Sequence, residues 1–137
     1  MNATGKFTVE CWQEADLGGS LSDKSFKKVD TIYNVTGEIC GKLHVVYLMY
    51  YTDLVAMNPE DASAEYIGYL SFDGEIEGKK GTFVLEDCGV YENFSPSSII
   101  SIVKSSGTGG FEGVTGGGTY FSKEDEMHIE LHYTFQG

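Results

Sequence analysis

The chain is short of proline, with 2 in 137 residues, and short of cationic side chains, with 9 Lys and Arg against 21 Asp and Glu. The resulting formal net charge of −12 repels phosphate backbones and anionic lipid surfaces, which argues against nucleic acids and membranes as partners. Long hydrophobic runs are missing as well. The longest candidate, residues 43–51, is strand-sized and far from the ~20 residues that cross a bilayer. Residues 1–10 show no basic-then-apolar secretion pattern. The cysteines are few and odd in number (Cys11, Cys40 and Cys88), and their spacing suits no metal. These absences predict a reduced, cytoplasmic protein with small buried thiols.

What remains is rich in strand formers and turn formers. Tyr and Phe number 9 and 8, Gly reaches 18, and 41% of residues are hydrophobic, enough for a core. Alternation of apolar and polar positions dominates, and no stretch longer than a turn or two carries a helical period. Eight segments read as strands: 5–12, 24–35, 42–52, 64–77, 80–90, 97–104, 115–122 and 126–135. The expected architecture is all-β: one domain over 1–137, a closed eight-stranded antiparallel barrel with long Gly-rich corners.

An internal repeat proposes a register. Gly37-Glu38-Ile39-Cys40-Gly41-Lys42 recurs as Gly74-Glu75-Ile76-Glu77-Gly78-Lys79. Placing Gly41-Lys42 and Gly78-Lys79 at the centre of two-residue hairpin turns opposes Cys40 to Leu43, Tyr33 to Tyr50 and Phe72 to Leu85. Opposed residues share a face, so one face collects Tyr33, His44, Leu48, Tyr50, Tyr66, Leu70, Phe72, Phe83 and Asp87. The other collects Leu43, Val45, Tyr47 and Met49. An outside that apolar predicts a homo-oligomer assembled through outer strand faces.

The predicted inner face supplies the candidate chemistry. Asp87 in an apolar cavity should have a raised pKa and serve as general acid or base. Tyr50 and Tyr33 are the hydroxyls that would join it in a catalytic set, polarising a carbonyl or epoxide oxygen. His44, Tyr66, Leu48, Leu70, Phe72 and Phe83 would line the ligand, with Trp12 and Glu14 at the barrel mouth. Asp87 as a wet strand-end carboxylate and Tyr33–Tyr50 as a cross-strand aromatic pair are the alternatives without chemistry. Other motifs are weaker. The seven glycines of residues 105–118 lack the Lys-Ser or Lys-Thr and the helix of a phosphate loop, and suit corners and close strand packing. His128, Glu130 and His132 alternate along one strand, where a solvated outer face is the expectation rather than zinc.

Five segments in order carry a resemblance. They are Ala3-Thr4-Gly5-Lys6-Phe7-Thr8-Val9 with Trp12-Gln13-Glu14, Tyr47-Leu48-Met49-Tyr50-Tyr51-Thr52, Gly81-Thr82-Phe83-Val84-Leu85, Ser106-Gly107-Thr108-Gly109 and Gly113-Val114-Thr115-Gly116. Together they resemble domain-of-unknown-function family 3224, which looks like the allene oxide cyclase-like barrel superfamily. The resemblance implies eight antiparallel strands around an apolar cavity, with oligomerisation usual. Where members of the family carry acidic residues and often a His, this chain has Val46, Leu70 and Asp87. The leading expectation is a small-molecule-binding β-barrel that acts as a cofactor-independent cyclase or isomerase on a largely apolar substrate. A non-catalytic carrier barrel and a structural assembly module are the alternatives.

Overall fold

The computed structural model describes residues 1–16, 26–51, 63–92, 95–124 and 126–135. They form nine strands: β1 (Asn2–Asp16), β2 (Phe26–Gly37), β3 (Ile39–Tyr51), β4 (Ala64–Ile76), β5 (Lys79–Glu92), β6 (Ser95–Ile102), β7 (Thr108–Gly109), β8 (Val114–Lys123) and β9 (Glu126–Phe135). Eight of them close a ring in the order β1-β2-β3-β4-β5-β6-β8-β9, and β9 returns to β1. Every pairing is antiparallel, and the two-residue β7 lies against β5 at Gly81 and Thr82. Closure leaves the eight strands without a free edge. No helix occurs among the described residues, and none is long and apolar enough to cross a membrane.

The alternation seen in the sequence is the reason for the ring. On β4, Ala64, Tyr66, Leu70, Phe72 and Ile76 point inward and are buried, while their neighbours face out. Phe83, Leu85 and Asp87 continue that inner face on β5, and Ile129, Leu131 and Tyr133 do so on β9. At one end the core is solid. Phe72 and Phe83 have ring centroids 5.0 Å apart, and Phe111, delivered by the turn before β8, meets Phe83 edge-on at 5.0 Å.

The two hairpins depart from the expected registers in different ways. Between β2 and β3 the turn lies at Gly37-Glu38, so Tyr33 pairs with Leu43 and Val35 with Gly41. The slip is odd, and an odd slip turns a strand over. Leu43, Val45, Tyr47 and Met49 are therefore inside, and His44, Val46, Leu48 and Tyr50 are outside, the reverse of the expectation. Gly37 makes the turn with φ 116°, whereas Gly41 stays in the strand. There a Cβ would collide with the carbonyl oxygen of Asp73 and lie 2.7 Å from Gly74 Cα. Gly41 was spent on close approach to β4, not on reversing the chain.

Between β4 and β5 the turn residues are Glu77 and Gly78, both at positive φ (52° and 83°), the signature of a type I′ hairpin. The register moves by an even step. Phe72 pairs with Phe83 and Leu70 with Leu85, and every face assignment in this hairpin holds. The two copies of the repeat end up as neighbours, Ile39 opposite Ile76 and Gly41 opposite Gly74.

The outer face is apolar, on β3 through other residues than expected. Val46 and Leu48 on β3, Ile67 and Tyr69 on β4, Val90 on β5 and Ile99 on β6 are exposed, Ile99 to 71%. Leu48 pairs with Ile67, Ile67 with Cys88 and Cys88 with Ile99, so these side chains form a continuous band. Cys11, Cys40 and Cys88 are all free and exposed, which corrects the expectation of buried thiols. Each sits on a strand at an outward position.

Candidate functional site

Above the aromatic plug the interior changes character. Tyr33 (β2), Tyr47 (β3), Tyr66 (β4), Asp87 (β5), Ser98 (β6) and Tyr120 (β8) all point inward and are buried. They form a polar band across six strands. Asp87 is 0% exposed, and the Tyr47 hydroxyl donates to its Oδ2 at 2.7 Å. Tyr66 and Ser98 share a short hydroxyl–hydroxyl hydrogen bond. Asp87 Oδ1 and the Tyr120 hydroxyl are buried with no hydrogen-bond partner among the described residues.

Glycines make both contacts possible. Gly68 on β4 lies between Tyr47 and Asp87, pairing with each of them. A Cβ there would collide with the carbonyl oxygen of Val46 and come within 2.8 Å of Tyr47 Cδ1. Gly89 on β5 lies between Tyr66 and Ser98 in the same way. A Cβ at Gly89 would sit 2.6 Å from Ser98 Oγ and 2.8 Å from the Tyr66 hydroxyl oxygen. In each case a bare strand lets side chains from its two neighbours meet over it.

The band opens onto a cavity of about 210 Å³ at the other end of the barrel. Tyr33, Tyr47, Tyr66 and Tyr120 form its inner wall. Phe7, Met49 and Met127 line its sides, and Val9, Trp12 and Tyr91 stand toward the mouth. A bulge in β1 between Val9 and Cys11 explains how Phe7, Val9 and Trp12 can share one cavity. The extra residue shifts the alternation, so that Val9 opposes Tyr33 and Trp12 opposes Thr31, both inward positions. The Thr31 hydroxyl donates to the Cys11 carbonyl oxygen at 2.5 Å and holds the bulge.

Burial decides the protonation of this band. Desolvation pushes the Asp87 carboxyl up to about 6, against hydrogen bonds from Tyr47 and Ser98 that favour the charged form. Burial likewise raises Tyr33 to about 12 and holds Tyr47, Tyr66 and Tyr120 well above the ordinary phenol value. The tyrosines are therefore neutral hydrogen-bond donors, and Asp87 is the group in the band that changes charge near neutral pH.

Of the residues singled out from sequence, Tyr33, Tyr66 and Trp12 line the cavity and Asp87 lies one hydrogen bond behind it. Leu70, Phe72 and Phe83 are inside, as expected, but belong to the solid core. Glu14 is exposed and accepts a hydrogen bond from Trp12 Nε1 at 2.9 Å. Tyr50, His44 and Leu48 are on the outer surface because β3 is turned over. Tyr50 is 42% exposed with its ring centroid 5.0 Å from that of Phe26, and His44 meets Asp30 at 2.9 Å. Sequence reasoning missed Tyr47 for the same reason. It missed Ser98 and Tyr120 for want of a register, and Gly68 and Gly89 because a strand glycine shows its purpose only beside its neighbours.

His128, Glu130 and His132 face outward as read. His128 stacks on Phe121 at 5.2 Å, and His132 lies between Asn2 (2.6 Å) and Glu130 (2.9 Å). No group of three or more metal-binding side chains was found among the described residues. Ser106 is a structural link: its hydroxyl accepts from Val84 N–H at 3.0 Å and donates to the Val103 carbonyl oxygen at 2.6 Å.

A family model described as protein of unknown function (DUF3224) matches residues 3–135. Among solved structures, a protein of unknown function from the DUF3224 family of Shewanella oneidensis MR-1 superposes with a TM-score of 0.80 at 19% identity. The alignment covers 100% of this chain and 98% of that one. No curated protein matches the sequence.

Proposed function

This chain belongs to the DUF3224 family, and we propose that its barrel binds a compact, largely apolar molecule whose one polar group meets Tyr47 and Tyr120. The observation that supports this reading is the unpartnered buried hydroxyl of Tyr120 on the wall of an otherwise apolar cavity, with the unpartnered Oδ1 of Asp87 one hydrogen bond behind Tyr47. Buried polar groups ordinarily find partners, and an unpartnered one next to open space invites a ligand. At about 210 Å³ the space is below the ~300–1,000 Å³ of drug-sized pockets, so the ligand is compact.

Catalysis is the finer part of the reading. Tyr47 touches the ligand and Asp87 acts through it, as a positioning and proton-sharing residue. A carboxyl near 6 can lend a proton through the Tyr47 hydroxyl to a ligand oxygen and take it back. That exchange suits a cofactor-independent isomerisation or cyclisation, the reaction class that the resemblance to allene oxide cyclase-like barrels implies. A carrier barrel would use the same contacts without turnover. Assembly of copies through the band around Leu48, Ile67 and Ile99 completes the proposal, supported by its exposed apolar side chains.

Binding is tested with benzyl alcohol as probe, following Trp12 fluorescence and the methyl signals of Met49 and Met127. The probe should shift these signals in the wild type and not in Tyr33→Trp, whose larger ring fills the cavity. Equal responses in both proteins would end the binding reading.

A further inference from the structure

We propose that the molecule held in this cavity is a cation, a small organic ammonium ion with an apolar body. This rests on the binding reading above and adds the sign of the charge.

Three observations point the same way. The first is the wall. Phe7, Trp12, Tyr33, Tyr47, Tyr91 and Tyr120 surround the space, and aromatic faces attract cations by their quadrupole, most strongly where water is excluded. The second is Asp87. Its Oδ1 has no partner and its exposure is 0%. The groups facing it are the hydroxyls of Tyr47 (β3), Ser98 (β6), Tyr33 (β2), Tyr66 (β4) and Tyr120 (β8). All are neutral near pH 7, and no Lys, Arg or His is among the described residues that line the cavity. Once ionised, this carboxylate has no counter-charge among the described residues inside the barrel, and a buried unpaired charge is costly. A cation in the cavity supplies what the fold does not. The third is the field of the whole chain, whose net charge of −12 enriches cations around it and repels anions.

A neutral ligand would satisfy the Tyr120 hydroxyl but leave the carboxylate unbalanced. An anion would face both Asp87 and the ring faces with the wrong sign.

The test compares benzylammonium with its neutral near-isostere benzyl alcohol at pH 7.5 and pH 5, in the wild type and in Asp87→Asn, by titration calorimetry with Trp12 fluorescence. At pH 7.5 the wild type should prefer benzylammonium by about tenfold or more. At pH 5, one unit below the Asp87 midpoint of about 6, that preference should fall by roughly tenfold, while benzyl alcohol changes little. Asp87→Asn should lose most of that preference and keep only a small remainder from the ring faces, equal at both pH values, and the wild-type pH comparison stands even if that variant folds poorly. Benzyl alcohol binding as tightly as benzylammonium at pH 7.5 would overturn the cation and leave the binding reading intact. Failure of both probes to bind the wild type would overturn both.

Discussion

Tyr47 and Asp87 touch although a whole strand lies between them, because the strand position between them is Gly68. The hydrogen bond of 2.7 Å passes over a residue with no side chain. That arrangement ties the Asp87 carboxyl to the wall of the cavity.

Gly68→Ala should therefore be severe. The new methyl meets backbone at Val46 and the Tyr47 ring, and neither neighbour can step aside within a closed ring. Urea unfolding should show a loss of about 3 kcal/mol or more. Gly78→Ala is the control. Nothing lies within 4 Å of its Cβ, so only the strain of φ +83° remains, about 1–2 kcal/mol. Equal losses at the two sites would remove the steric argument.

Asp87 makes stability depend on pH in the direction opposite to a salt-bridged carboxylate. Its folded value, about 6, lies above the ordinary 3.8. Between those values the folded state holds a proton that the unfolded chain has released, so stability falls as pH rises through this window. The penalty is absent below the unfolded value, complete above about pH 6, and on the order of 2–3 kcal/mol. Thermal melts of the wild type and Asp87→Asn should converge toward pH 4 and separate at pH 7 in favour of Asn. A constant separation across that range would show that ionisation of Asp87 is not the cause.

Tyr47→Phe keeps the ring and removes the donor. Asp87 then loses a hydrogen bond that favours its charged form, and its titration should move above about 6. Carboxyl carbon shifts followed by NMR report this directly. The accompanying stability loss at pH 7 should be about 1–3 kcal/mol, the cost of a buried charged acceptor losing its partner. An unmoved titration would mean that Tyr47 does not govern this carboxyl.

Phe111→Ala separates the plug from the site. Its ring is 0% exposed against Phe72 and Phe83, and truncation should cost about 3–5 kcal/mol. Binding of benzyl alcohol at the opposite end should stay within twofold at a temperature where the variant is folded. A collapse of binding would show that the two ends are coupled.

The outer band predicts assembly. Sedimentation of the wild type should exceed the 15.0 kDa of one chain, and Ile67→Lys with Ile99→Lys should return it to that mass. Folding stability should change by no more than about 0.5 kcal/mol per site, because both side chains face solvent in the single chain. A wild type that sediments as a monomer ends the assembly proposal.

Alternation by itself determined the strands, their number around the ring and the inner faces of β4 and β5, because buried and exposed positions there differ in polarity. Leu70, Phe72, Phe83 and Asp87 fell on the inner face even though the proposed hairpin register was off by an even step. Strand β3 could not be oriented that way. Leu43, Val45, Tyr47 and Met49 differ little in polarity from Val46, Leu48 and Tyr50, so its inside was decided by where the chain turned. Two glycines four residues apart, Gly37 and Gly41, competed for that turn. Only the packing against Gly74 on β4 shows that Gly41 was needed in the strand. The site followed from that choice. A partner two strands away, reached over a bare glycine, leaves no mark in local sequence. The contact of Tyr47 with Asp87 thus belongs to the closed barrel alone, while the strands that carry both residues were already written in the chain.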